Sequence, residues 1–166
     1  MKYLTTITLI MFMFILNSCS TGGNHPDYEA NVEKVKTFLE LQGNESDPQA
    51  QLDMIHEDIQ WQPAFFGTAR IGKAEFGEYL IAWQDSMEDV VYTSTNYLPG
   101  VNAETGLLDG SVRSYGTWTG VHSETGKSWE LNSYHTWDFQ DGLIFFGCDY
   151  FDAGGFLASL SSSEEE

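Results

Sequence analysis

Positive charge is scarce in this sequence. Seven Lys and Arg stand against 25 Asp and Glu, a formal net charge of −18 over 166 residues. A surface this negative repels phosphate backbones and anionic lipid heads, which argues against a nucleic-acid partner. Cysteine is scarce too. There are only two, Cys19 and Cys148, so at most one intrachain disulfide could form. No apolar stretch is suited to crossing a bilayer: the run from Tyr3 to Leu16 is too short to span one comfortably. No internal repeat and no second domain is visible, and the length allows one domain with a sizeable core.

The N-terminus is a processing signal rather than part of that domain. Lys2 supplies a thin positive region, and the apolar run ends in Leu16-Asn17-Ser18-Cys19. That ending resembles a bacterial lipoprotein signal. The resemblance implies cleavage before Cys19, lipidation of its thiol, and a mature chain anchored to a membrane of the bacterial cell envelope. An ordinary secretory signal with an incidental cysteine is the alternative. If Cys19 carries lipid, Cys148 has no partner, and it reads as a small buried apolar residue. The expected divisions are a signal peptide over 1–18, a tether over 19–30, a domain over 31–160 and an acidic, disordered tail over 161–166.

Asn31 to Gly43 reads as a helix, with Val32, Val35, Phe38 and Leu39 at helical spacing. Asp47 and Pro48 start a second, shorter helix carrying Leu52 and Ile55. The chain is extended near Ile59 and Trp61, and Pro63 breaks it. A loop leads to a third helix over Lys73 to Met87, striped by Phe76, Leu80, Trp83 and Met87, with Tyr79 beside them. Strands follow over Asp89 to Leu98, closed by Pro99-Gly100, and over Leu108 to Val121. A possible last helical turn ends at Leu160.

Two ligand-like motifs are set aside. Gly67 to Lys73 has phosphate-loop spacing, but Ala74 stands where Ser or Thr is needed, and no solid apolar strand precedes it. His56-Glu57-Asp58 is rich in ligand atoms, but adjacent residues point in different directions, and His122 has only Glu124 nearby. No metal and no cofactor is expected.

The informative stretch is Gly126 to Asp152. Trp129, Leu131, Ser133, His135, Trp137 and Phe139 alternate onto one face, and polar residues occupy the other, the mark of a half-buried strand. Asp141-Gly142 signals a primed hairpin turn. The return strand runs from Leu143 to about Asp152. His135 and Asp149 are the polar groups in otherwise oily rows.

Three helices followed by antiparallel strands form an α+β layout. FGEYLIAW in the third helix, GTWTG followed by TGK, and the hairpin HTWDFQDGLIFFGCDYFD resemble the nuclear transport factor 2-like superfamily, especially its SnoaL-like branch of polyketide cyclases. The resemblance covers Asn31 to Asp152. It implies a cone-shaped, curved antiparallel sheet wrapped around three N-terminal helices, and a possible homodimer through the outer sheet face. It also puts Asp149 in the place of the family's general acid/base and His135 in that of its neighbouring histidine. Here Gly147-Cys148 precede the aspartate where the family often has His-Trp. Trp61, Tyr79, Trp83, Trp118 and Trp137 would wall the cavity.

A carboxyl in an apolar cavity resists ionising and can shuttle a proton beside a carbonyl. One reading is therefore an enzyme for proton transfer, isomerisation or cyclisation of a small carbonyl compound. The other is a lipid-anchored domain that binds a small apolar molecule, with His135 and Asp149 satisfying each other as a buried pair. A cavity of about 300 Å³ or more would suit an ordinary ligand site.

Overall fold

The computed structural model describes residues 23–43 and 48–161. The expectations for the signal peptide, for Cys19, for the Asp47 cap and for the tail beyond Ser161 lie outside the described residues. The order is α1 (Tyr28–Gly43), α2 (Pro48–Leu52), β1 (Ile55–Gln62), α3 (Lys73–Ser86), β2 (Met87–Val101), β3 (Leu108–His122), β4 (Ser128–Gln140), β5 (Leu143–Tyr150) and α4 (Ala153–Leu160). The five strands form one sheet in the order β1-β5-β4-β3-β2.

The helical stripe of α1 buries Val32, Val35, Phe38 and Leu39, as its spacing predicts. The helix begins at Tyr28, inside the stretch read as tether. Tyr28 is itself buried, and its hydroxyl donates to the Tyr97 carbonyl at 2.9 Å. Gln51 on α2 is fully buried; its amide donates to the Phe38 carbonyl and to Gln42 Oε1, and its oxygen accepts from Gln84 at 3.1 Å. One side chain thus ties α1, α2 and α3 together.

The sheet departs from the expected antiparallel meander in one pairing. β1 lies parallel to β5, with Trp61 opposite Gly147. Ile55 therefore opens a strand instead of ending a helix, and β1 intervenes before α3. Met87 likewise belongs to β2. Pro99-Gly100 does not close that strand, which runs on to Val101. β2 is a sheet edge, where a missing N–H need not break a ladder. Bulges in β2, one of them carrying Asp89 at φ 52°, bend the sheet into the curve that receives the helices.

Asp141 and Gly142 have φ of 52° and 74°, the primed turn that matches strand twist. α4 is capped by Asp152, which accepts from Gly155 N at 2.9 Å. It seats Phe156 against Trp83 and Trp129 at one end of the sheet. Lys73 of the phosphate-loop-like stretch donates to the Ile55 carbonyl and pairs with Glu57, so it holds β1. Cys148 is free and buried, paired in register with Thr136.

Candidate functional site

The alternation of β4 buries Trp129, Leu131, Ser133, His135 and Trp137. The hairpin register then sets His135 opposite Asp149 on β5. The two residues are 4 % and 7 % exposed, and His135 Nδ1 lies 2.8 Å from Asp149 Oδ1.

The neighbours settle which atom carries the proton. Trp118 Nε1–H, a donor only, points at His135 Nε2 at 3.2 Å. Ser133 Oγ lies 2.9 Å from the same nitrogen. Nε2 is therefore the acceptor, Nδ1 carries the hydrogen, and His135 donates to Asp149 as a neutral imidazole. The other carboxylate oxygen, Oδ2, accepts from Trp61 Nε1 at 2.9 Å and from the Tyr79 hydroxyl at 3.0 Å. Every partner of Asp149 donates, which suits an ionised, acceptor-only carboxylate. Beside the expected partner His135, Trp61 and Tyr79 also donate, so the acid in its oily cavity is a carboxylate held by three donors.

Burial foremost, and then the adjacent Asp149 charge, push the Tyr79 hydroxyl well above its ordinary 10. Burial likewise pushes Tyr92 up to about 12. An unfolded tyrosine ionises near pH 10, so above that pH the unfolded chain sheds protons that the folded chain keeps. Stability is therefore expected to fall as pH rises through 10 and beyond. Urea midpoints at about pH 9 and about pH 11.5 check this: the second should be the lower, and Tyr92→Phe should reduce the gap.

His135, Asp149 and the five expected wall residues, Trp61, Tyr79, Trp83, Trp118 and Trp137, all line one cavity between the helices and the sheet. Its volume is about 50 Å³. That is room for about four water-sized atoms, well short of an ordinary ligand site. Ring packing explains the shortfall: Trp61 stacks on Phe76 at 4.6 Å and meets Trp137 at 5.2 Å. Trp83 Nε1 is buried on this wall without a partner. A roomier hollow of about 420 Å³ lies between α1 and β2, beside Lys36, Tyr92 and Tyr97, and contains neither His135 nor Asp149.

The sequence singled out neither Ser133 nor the bonds from Trp61 and Tyr79 to the carboxylate. Ser133 was legible as an inward polar residue two positions from His135. The other two contacts span 88 and 70 residues and left no local signal. Phe38 and Gln42 of α1 also line the cavity unannounced. Among the described residues, no group of three or more His, Cys, Asp or Glu is placed to hold a metal. His56 instead receives the Asp58 N–H, and His122 pairs with Thr125.

No protein-family model and no curated protein matches this sequence. Solved structures do match the fold. A candidate SnoaL-like polyketide cyclase from a Jannaschia species superposes with a TM-score of 0.70 at 11% identity, over 84% of this chain and 97% of its own. A candidate polyketide cyclase from Xanthomonas campestris gives 0.63 at 21% identity, over 81% and 99%. A protein of ketosteroid isomerase-like fold from Catenulispora acidiphila, in complex with trimethylamine, gives 0.62 at 14%, over 76% and 90%. The chain has the nuclear transport factor 2-like fold, an α+β cone of curved sheet closed by helices.

Proposed function

We propose that this protein is an exported, lipid-anchored binding domain of SnoaL-like type that holds a small apolar-surfaced molecule inside its cone. The observation that carries the reading is the shared cavity, aromatic on most of its wall, with His135 and Asp149 hydrogen-bonded to each other on it. The cavity's size limits the ligand to a few heavy atoms unless the rings move apart. The Catenulispora neighbour forms its complex with trimethylamine, a molecule of that scale. Mass spectrometry of whatever co-purifies with the protein tests the reading. A low-mass organic species released on unfolding supports it. A protein free of bound molecules, with no melting-temperature response to small fragments, contradicts it.

An enzyme reading has its own support. Asp149 has an acceptor position to spare, since a carboxylate offers about four and three are used. Asp149 would exchange a proton with a small carbonyl compound while His135 steadies it. Turnover lost in Asp149→Asn with binding retained would mark this reading.

The anchoring reading rests on Leu16-Asn17-Ser18-Cys19, and its implication is a position in the bacterial cell envelope. Incorporation of labelled fatty acid in the wild type, absent in Cys19→Ser, tests it. The outer sheet face carries Tyr115, Tyr134 and Tyr150 stacked at 4.7 and 5.3 Å, and is where a second copy would pack.

A further inference from the structure

Asp149 brings a carboxylate into the core that, among the described residues, no Lys or Arg side chain offsets. Among the described residues its ion-pair partner is His135, and the indole of Trp118 keeps that ring neutral. Trp61 and Tyr79 add hydrogen bonds but no charge. Buried charge is costly without a counter-charge, and three neutral donors supply only part of what water would. The rest of the wall is dominated by aromatic rings, including Phe76, Trp83 and Trp137. Such rings attract cations through their quadrupoles. Charge and wall point to the same kind of guest.

Size and hydrogen-bonding capacity narrow the class. A cavity of about 50 Å³ takes about four heavy atoms. The carboxylate has one acceptor position left of about four. A primary ammonium would have three N–H groups to place there, and a metal ion would need several oxygen or nitrogen ligands released from existing bonds. A tertiary methylammonium has one N–H and an otherwise apolar surface.

We propose that the cavity binds a small methylated ammonium ion of the trimethylammonium class, its N–H on the free position of Asp149 and its methyl groups against the rings. This rests on the cavity being a ligand site and changes the guest from neutral to cationic. The acidic surface would raise the local concentration of such ions.

Calorimetric titration of the full-length protein tests the proposal, with trimethylammonium chloride in one arm and 2-propanol, a neutral molecule with the same number of heavy atoms and a single O–H donor, in the other, at equal ionic strength. The cation is expected to bind at least about tenfold tighter. Methylammonium should bind more weakly than trimethylammonium, and Asp149→Asn should abolish the preference. Equal affinity for 2-propanol overturns the proposal and leaves the cavity as a site for neutral ligands. No heat from either compound at millimolar concentrations overturns both. The wild-type comparison decides even if Asp149→Asn fails to fold.

Discussion

Replacing Asp149 with alanine is expected to lower the stability of the domain by about 3–5 kcal/mol, a fall in Tm on the order of 10–20 °C. Three donors would lose their acceptor at once: Trp61 Nε1, the Tyr79 hydroxyl and His135 Nδ1. Each buried donor left unsatisfied costs about 1–3 kcal/mol. Water entering the enlarged hollow would recover part of that, which keeps the expected sum below the simple total. Asp149→Asn should be less damaging, since its carbonyl still accepts, but its amide N–H₂ must face at least one existing donor. Thermal denaturation followed by circular dichroism reads both variants. A loss under about 1 kcal/mol for Asp149→Ala would mean the carboxylate is not the hub of these bonds.

Gly147→Ala is expected to be nearly as harmful, by about 3 kcal/mol, although it adds a single methyl group. A Cβ at this position would lie 2.2 Å from Trp61 Cζ3 and 2.7 Å from the Thr136 carbonyl oxygen. Neither can yield cheaply. Trp61 is 2 % exposed, stacked on Phe76 and bonded to Asp149, and Thr136 belongs to the ladder with β5. Pushing the indole away breaks the Trp61–Asp149 hydrogen bond, so binding in the cavity should weaken along with folding. Urea unfolding measures the loss. The double variant Gly147→Ala with Trp61→Phe should be more stable than the two single losses predict, because the smaller ring removes the clash. Strict additivity would mean that the methyl group and the indole do not collide.

The close approach of Trp61 also explains why glycine stands at position 147. β1 runs parallel to β5 and lays Trp61 across Gly147, so a bulky residue there has no space. That pairing was illegible in the sequence, because β1 and β5 are separated by three strands and a helix. The hairpin was legible because its signals are local. Strict alternation placed His135 inward and Asp141-Gly142 fixed the turn, but the turn alone pairs Gln140 with Leu143 and would set His135 opposite Cys148. A bulge between Asp138 and Phe139, which no local signal announced, shifts the register by one residue and brings Asp149 opposite His135. Ile55 was misplaced because a short apolar stretch after a five-residue helix fits either period. Pro99 read as a stop only because the sequence does not reveal which strand is an edge. Cavity volume was the least accessible quantity of all. The wall residues could be named from their stripes, but how far their rings interpenetrate depends on tertiary packing.

The account depends most on His135 being a neutral, buried donor to Asp149. Long-range nitrogen-15 correlation spectra of histidine-labelled protein test this directly, with His135→Gln to assign the ring. At neutral pH, His135 Nδ1 should carry the hydrogen and Nε2 should show the shift of an unprotonated acceptor. A hydrogen on Nε2, or a ring exchanging freely with water, would contradict it.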